Sequence, residues 1–345
     1  MPTLRDLVGQ AHARALLRSA IVQKRPSHAY LFVGPQGVGR RTAALAFAQA
    51  LLCPEATDDA CGRCPACAKV EAGTHPDVRI VAPAGRTEGG AERRAVGIDQ
   101  IREIQHDAAF PPYEAPWKVF IVEDAESMRA EAANSLLKVL EEPPPGVVLV
   151  LIAESETALL PTLVSRAQIV RFTFVAPQAI ADALVARAGV AAERARYLAA
   201  LAGGRVGEAL ALARAEEEAF ARRARVLAVL AAVARGDPVA RLEAAEEVAR
   251  QRDEAEKILD VALLWVRDLL VWRETQDPAL LVNLDASRDI ALWAGPTDSA
   301  ALARTAEALE RAKAEVRRNT NLRLVVEQLF LQVQIGPPAE APPVP

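Results

Sequence analysis

The chain has 345 residues, enough for two or three domains with sizeable hydrophobic cores. Its formal net charge of −4 argues against a protein that grips nucleic acid alone, because such proteins usually carry a strongly basic face. The polar first residues do not resemble a signal peptide, and no apolar run is long enough to span a bilayer. We therefore expect a cytoplasmic protein that does not contact membranes.

Residues 1–173 alternate short apolar segments with amphipathic ones, which indicates a parallel β-sheet covered by helices on both faces. The predicted strands are 29–33, 78–81, 119–122, 147–153 and 168–172, and the predicted helices are 12–23, 41–51, 98–108 and 130–140. Residues 84–97 contain several glycines and charged side chains, and we expect them to form a flexible loop.

A glycine-rich loop follows the first strand and leads into an Ala-rich helix, in the order that cradles nucleotide phosphates with backbone N–H groups. Its glycines are Gly34, Gly37 and Gly39. A working loop of this kind continues with Lys, which reaches the phosphates, and with Ser or Thr, which holds Mg²⁺. Arg40 and Arg41 occupy these two positions, and Thr42 lies about 100° further round the helix. We expect a degenerate nucleotide site that does not bind ATP.

All four cysteines lie within a short insertion at residues 53–67, where two-residue gaps separate the last three: Cys53, Cys61, Cys64 and Cys67. Such spacing lets thiolates converge on one tetrahedral ion, and we predict a structural zinc site. Disulfides are the alternative in an oxidising compartment, and the two consecutive gaps also resemble the spacing of an iron–sulfur ligand set.

Glu123 and Asp124 end the third predicted strand, at the position where a nucleotidase holds Mg²⁺ and orients the attacking water. The order is Glu-Asp rather than the usual Asp-Glu. Together with Arg40 and Arg41, this order favours a simpler role, in which the two carboxylates cap the helix that follows.

Ser165 and Arg166 lie between a short helix and the last predicted strand. Taken alone the pair is a weak signal. At the edge of a nucleotide-binding fold, however, an arginine can reach a neighbouring subunit and stabilise charge that develops on its γ-phosphate.

The rest of the chain is predicted to be helical. A small helical segment covers residues 174–213, and helices continue through residues 214–335. The last helix carries an apolar stripe that needs a packing partner: Leu322, Val325, Val326, Leu329 and Phe330. Residues 336–345 form a Pro-rich tail that we expect to be disordered.

Several motifs occur in one characteristic order: VGQAHARALLRSA, HAYLFVGPQGVG, the four-cysteine insertion, KVFIVEDAESM, NSLLKVLEEPPPG and LLPTLVSR. In this order they resemble bacterial clamp-loader subunits of the AAA+ class. The resemblance is strong over residues 4–213, and NLRLVVEQLFL extends it towards the end. It implies an AAA+ domain over 1–173, a lid domain over 174–213 and an all-α collar domain over 214–335, which assembles with other subunits.

Within this family, the resemblance is to the branch that does not hydrolyse ATP. Gly207 stands where the motor subunits, gamma and tau, have a sensor arginine, and Glu154-Ser155 replace a threonine pair. The resemblance implies a ring with gamma/tau and delta subunits that loads the sliding clamp onto primer-template DNA. Arg166, with Ser165, would then act in trans on an adjacent motor, and Ala167 replaces the Cys that usually follows the pair.

Two alternatives remain open. The first is a divergent ATP-hydrolysing motor of the gamma/tau type, which would use Arg40, Thr42 and Glu123. The second is a zinc-stabilised nucleic-acid binder that acts alone. The negative net charge of the chain argues against it.

Overall fold

The structure of the protein is a computed structural model. It describes residues 3–88, 91–235, 238–318 and 320–336. They form two compact units. The first consists of residues 3–176 with 205–207, and the second of residues 177–204 and 208 onwards. The predicted Pro-rich tail lies outside the described residues except for Gly336.

The first unit is an α/β domain that follows the predicted alternation of strands and helices closely. Its elements are α1 (Ala11–Val22), β1 (Ala29–Val33), α2 (Arg40–Leu52), α3 (Pro65–Glu71), β2 (Val78–Val81), β3 (Ala84–Glu88), β4 (Ala91–Ala95), α4 (Ile98–Ala108), β5 (Lys118–Val122), α5 (Ala130–Glu141), β6 (Val147–Ala153), α6 (Pro161–Val164) and β7 (Gln168–Arg171).

The main sheet has the strand order β2-β5-β6-β1-β7, and all its neighbours pair in parallel. Alternate side chains of β1 enter two different cores. Tyr30 and Phe32 pack with residues of α1 and α2, whereas Leu31 and Val33 pack with residues of α4 and α5. The predicted parallel sheet with helices on both faces is therefore confirmed.

The prediction of a flexible loop at residues 84–97 is wrong. β3 and β4 pair antiparallel as a two-stranded hairpin, with Ala84 opposite Ala95 and Glu88 opposite Ala91. The sequence signal was a Gly-Gly dipeptide between two five-residue segments, which is a hairpin pattern. The many charged residues in both segments hid it, because backbone hydrogen bonds rather than an apolar face define this pair of strands.

The second unit is helical throughout its described residues. It contains α7 (Pro177–Ala188), α8 (Ala192–Leu201), most of α9 (Val206–Arg214), α10 (Glu216–Ala234), α11 (Pro238–Val248), α12 (Arg252–Thr275), α13 (Ser287–Ala294), α14 (Ser299–Arg317) and α15 (Leu322–Gln332).

Helix α12 lies at the centre of this unit's main core. Trp265 of α12 meets Trp293 of α13 edge to face, with ring centroids 6.1 Å apart. The apolar stripe of α15 finds its partner within the chain, because Val326 and Leu329 are buried in the same core. No helix in the described part of the chain has both the length and the apolar character to cross a membrane.

A buried carboxylate organises the loop that leads into β5. Asp77, at the start of β2, is fully buried and accepts three backbone N–H groups from that loop. Its Oδ1 accepts from Tyr113 at 2.6 Å, and its Oδ2 accepts from Glu114 at 2.8 Å and from Ala115 at 3.1 Å. One side chain therefore sets the path of the chain beside the sheet edge.

We expect Asp77→Ala to lower the free energy of unfolding by about 2–4 kcal/mol, because it leaves three backbone donors unpaired. Urea unfolding of the full chain measures this change, and hydrogen exchange of the Tyr113–Ala115 amides should accelerate in parallel. Glu142→Ala, at an exposed position in the same unit, is the control and should stay within about 0.5 kcal/mol of wild type. Unchanged exchange at these amides would contradict the assignment.

Candidate functional site

The glycine loop follows β1 at the carboxyl edge of the sheet and ends where α2 begins. Gly34, Gly37 and Gly39 all have positive φ, at 151°, 81° and 103°. At Gly34 a Cβ atom would lie 2.3 Å from the carbonyl oxygen of Phe172, so only glycine fits between β1 and the end of β7. The backbone thus has the layout of a phosphate-binding loop.

The two arginines after the loop lie in different environments. Arg40 is the first residue of α2 and is buried, with 7% exposure, and its Nη1 has no hydrogen-bond partner among the described residues. Burial lowers the pKa of the Arg40 guanidinium, and the carboxylates of Glu126, Glu154 and Asp124 oppose this shift. The structure therefore places a cation at the loop, where it faces three acidic side chains.

Arg41 points to the end of β5. Its Nε donates to Glu123 Oε1 at 2.5 Å. Glu123 is the first of the two acids that a nucleotidase would use to hold Mg²⁺, so a side chain of the protein already neutralises this carboxylate. Thr42 lies one residue further along α2 and is half-buried.

The prediction that Glu123 and Asp124 cap the following helix is wrong. Asp124 is the N-cap residue of a short 3₁₀ helix, Ala125–Ser127, but its side chain makes no capping hydrogen bond. It adopts a left-handed conformation with φ of 46°. Glu123 pairs with Arg41 instead, since the parallel sheet brings the end of β5 close to the start of α2, an arrangement that local sequence does not reveal.

The chain segment around Gly207 contacts the loop directly. The Gly207 N–H donates to the Gly37 carbonyl oxygen at 2.9 Å, and a Cβ at position 207 would lie 3.4 Å from the same oxygen. The Arg205 side chain packs against Gly37 and places its guanidinium 5.5 Å from the centre of the Phe174 ring. The position predicted to have lost a sensor arginine is therefore adjacent to the phosphate loop.

Among the residues of this site that sequence reasoning missed is the buried Gln10. Its Nε2 donates to the carbonyl oxygens of Thr173, at 2.7 Å, and Val38, at 3.4 Å, while its Oε1 accepts from the Thr173 N–H at 3.2 Å. Gln10 thereby ties the glycine loop to the segment after β7. The available signal was a polar residue in the otherwise apolar VGQA motif.

The four cysteines converge at one point beside the amino-terminal core. Their Sγ atoms all lie within 4.8 Å of one another, with Cys53 and Cys64 3.8 Å apart and Cys61 and Cys67 4.0 Å apart. Backbone N–H groups point at the sulfurs, as when Cys64 N donates to Cys61 Sγ at 3.3 Å. The backbone N–H of Arg63 is the main cause that lowers the pKa of Cys61, whereas burial raises the pKa of Cys53 and Cys67. The cluster could hold a metal ion.

The cysteine insertion also holds the start of the chain. Asp59 is buried and its carboxylate accepts from the backbone N–H groups of Leu4, at 3.1 Å, and Arg5, at 2.8 Å. Asp58 forms ion pairs with the side chains of Arg5 and Arg18. The insertion is therefore part of the packing of the unit rather than a separate appendage.

Ser165 and Arg166 lie at the opposite edge of the sheet from the glycine loop. They precede β7, whereas the loop follows β1, and the two strands are parallel neighbours. Arg166 Nη1 donates to the carbonyl oxygen of Thr162 at 3.0 Å, and its Nη2 lies 3.0 Å from Glu141 Oε1. The Arg166 side chain is 37% exposed, and this location keeps it away from the loop of its own chain.

Comparison with known proteins agrees with this architecture. The family model described as DNA polymerase III, delta subunit, matches residues 9–176, and the model described as DNA polymerase III, delta subunit, C terminal, matches residues 217–334. The chain is similar to DNA polymerase III subunit delta' of Bacillus subtilis, with 32% identity over 329 residues, which cover 95% of this chain and 97% of that protein.

Two further similarities are to a tau subunit and to a gamma subunit-related protein of DNA polymerase III. DNA polymerase III subunit tau of B. subtilis is 38% identical over 177 residues, which cover 51% of this chain and 30% of that protein. Among solved structures, a DNA polymerase III gamma subunit-related protein of Thermotoga maritima aligns with a TM-score of 0.42 and 18% identity, covering 93% of this chain and 97% of that one.

The parallel sheet, the glycine loop at its carboxyl edge and the helical second unit agree with the architecture expected of a clamp-loader subunit of the AAA+ class. The match to delta' runs along nearly the whole of both chains, whereas the match to tau covers half of this one. The chain belongs to the DNA polymerase III delta' family, which confirms the family resemblance predicted from the motifs.

Proposed function

We propose that this subunit does not hydrolyse ATP itself and that it scaffolds a clamp-loader ring with gamma/tau motor subunits and a delta subunit. The ring would load a sliding clamp onto primer-template DNA during replication, a role that also fits the predicted cytoplasmic location. The ion pair between Arg41 and Glu123 is the observation that carries this proposal. Arg41 stands where the hydroxyl ligand of Mg²⁺ would be, and it neutralises the carboxylate that would help to hold the ion.

The charges around Arg40 support the same proposal. A buried guanidinium faces Glu126, Glu154 and Asp124, so the loop contains its own cation and its own counter-charges. A nucleotide would bring further negative charge next to these carboxylates, in a site without a lysine or a hydroxyl. The proposed lid domain, 174–213, and the proposed collar, 214–335, would then contribute to assembly rather than to nucleotide turnover.

The second candidate is an ATP-hydrolysing motor of the gamma/tau type. The similarity to tau and the backbone geometry of the glycine loop favour it. It would require Arg40 to take the place of lysine and Thr42 to turn towards the ion.

Equilibrium binding of labelled ATP to the purified chain separates the two candidates. We expect no saturable, Mg²⁺-dependent binding by wild type at about 1 mM ATP, a concentration at the upper end of typical KM values. The matched variant Arg40→Lys with Arg41→Thr restores the lysine and the hydroxyl and should gain weak Mg²⁺-dependent binding. Tight Mg²⁺-dependent binding by wild type would favour the motor.

We further propose that Arg166, held by Ser165 and its neighbours, acts in trans on the γ-phosphate of an adjacent motor subunit. Its position at the edge of the sheet opposite the loop supports an action outside its own chain. The guanidinium is partly exposed, and a positioned positive charge stabilises the transition state of phosphoryl transfer.

In a reconstituted clamp loader, Arg166→Ala should leave assembly intact and depress DNA-stimulated ATP hydrolysis. The site that Arg166 serves should lose about 10³-fold or more in rate, so total hydrolysis falls at least by the share of that site. Arg171→Ala is the control, since Arg171 is an exposed arginine at the other end of β7 and pairs with Glu156. Hydrolysis and clamp loading equal to wild type in the Arg166 variant would refute this role.

The metal that we propose for the cysteine cluster is zinc, in a structural role. Zn–S bonds of about 2.3 Å place the four sulfurs of a tetrahedral site roughly 3.8 Å apart. The Cys53–Cys64 and Cys61–Cys67 separations, 3.8 and 4.0 Å, agree with this spacing. Four thiolate ligands leave no position for a reactive water, so the ion would only cross-link the insertion.

Elemental analysis of the full chain should find one zinc ion per chain. Cys64→Ser keeps a residue that can cap α3 but removes a ligand, and it should lose the metal and lower the free energy of unfolding by about 3 kcal/mol or more. Ala66→Ser, within the same helix, is the control and should retain zinc. The zinc site would be refuted if the wild type contained no metal and Cys64→Ser left the free energy of unfolding unchanged.

A further inference from the structure

The glutamate at the end of α5 contacts the arginine of the Ser165-Arg166 pair. Glu141 belongs to the NSLLKVLEEPPPG run, which lies outside both the glycine loop and the cysteine insertion. Its Oε1 lies 3.0 Å from Arg166 Nη2. The side chains of the two residues come from different parts of the chain and meet at the amino edge of the sheet, because Glu141 precedes β6 and Arg166 precedes β7.

The other contacts of Arg166 are local. Its Nη1 donates to the carbonyl oxygen of Thr162 at 3.0 Å and to Ser165 Oγ at 3.4 Å. Ser165 Oγ in turn donates to the same carbonyl oxygen at 3.2 Å. These contacts hold one end of the guanidinium close to α6, while Glu141 holds its other terminal nitrogen.

Glu141 is well placed for this task because its helix is anchored in the core. Leu136 and Leu140 of α5 are buried in the core that also contains Leu163 of α6. Core packing therefore sets the distance between the end of α5 and α6, and the Glu141 carboxylate is presented from a rigid element.

We propose that Glu141 is a positioning residue that holds the Arg166 guanidinium in the orientation in which it meets a neighbour's γ-phosphate. The inference rests on the proposed trans role of Arg166. A guanidinium has five N–H donors, and the three contacts named above leave others for a phosphate oxygen. An exposed ion pair is weak, so it orients Arg166 without outweighing its attraction to a phosphate.

The opposite arrangement would be a latch, in which Glu141 withholds Arg166 until the ring closes. The two arrangements predict opposite changes in the neighbour's rate of ATP hydrolysis. Removal of a positioning carboxylate slows the neighbour's hydrolysis, whereas removal of a latch accelerates it.

The test measures DNA-stimulated ATP hydrolysis by a reconstituted clamp loader that contains variants of this chain. The Arg166-dependent rate is defined as the wild-type kcat minus the kcat with Arg166→Ala. With Glu141→Ala this rate should fall about three- to fivefold, the upper range for an exposed ion pair, and the KM for ATP should not change. Glu141→Gln keeps the shape and one acceptor and should lie between Glu141→Ala and wild type.

Two control variants distinguish a loss of Arg166 positioning from general damage to the subunit. Glu142→Ala removes the adjacent exposed glutamate, which pairs with no basic side chain in the part of the chain that the structure describes, and should match wild type. Glu141→Ala combined with Arg166→Ala should be no slower than Arg166→Ala alone, because Glu141 acts only through Arg166. Assembly and thermal unfolding of the Glu141 variants should equal those of wild type.

If Arg166→Ala slows hydrolysis and Glu141→Ala leaves it unchanged or accelerates it, this inference fails and the proposed role of Arg166 stands. If Arg166→Ala itself has no effect, the proposed role fails and the inference fails with it. A further loss in the double variant would likewise overturn the assignment, since it would show that Glu141 acts by another route.

Discussion

The parallel pairing of five buried strands is the constraint on which the functional geometry depends. All strands of the main sheet run in the same direction, so their carboxyl ends share one edge and their amino ends share the other. The glycine loop, Glu123 and Glu154 follow β1, β5 and β6 and meet at the first edge. Glu141 and Arg166 precede β6 and β7 and meet at the second. One topological fact therefore separates the glycine loop from the arginine proposed to act on a neighbour.

At the carboxyl edge, acidic side chains accompany both arginines that follow the glycine loop. Arg41 pairs with Glu123, and Arg40 is buried opposite three carboxylates. The backbone of the loop also serves the fold, because Gly34 allows β1 to approach Phe172 closely and Gln10 ties the loop to the segment after β7.

The cysteine insertion and the apolar stripe of α15 both take part in the packing of their own units. Asp59 within the insertion holds the backbone at Leu4 and Arg5, so a metal at the cysteines would also stabilise the start of the chain. In the second unit, the apolar stripe of α15 packs into its own core through Val326 and Leu329. That stripe is an internal feature, and a surface for assembly would have to use other residues.

The sequence by itself determined the strands of the main sheet, most helices, the cysteine cluster and the family, because these depend on local hydrophobic period and on short motifs. Tertiary structure decided which charged groups meet. Arg41 with Glu123, and Glu141 with Arg166, are separated along the chain and come together only through the order of the strands. The predicted cap at Glu123 and Asp124 was wrong because Glu123 pairs with Arg41, which is distant along the chain. The predicted loop at 84–97 was wrong because its residues form a polar pair of strands. A long charged side chain can reach several partners, and a polar strand pair has no apolar face, so only the three-dimensional arrangement selects the outcome.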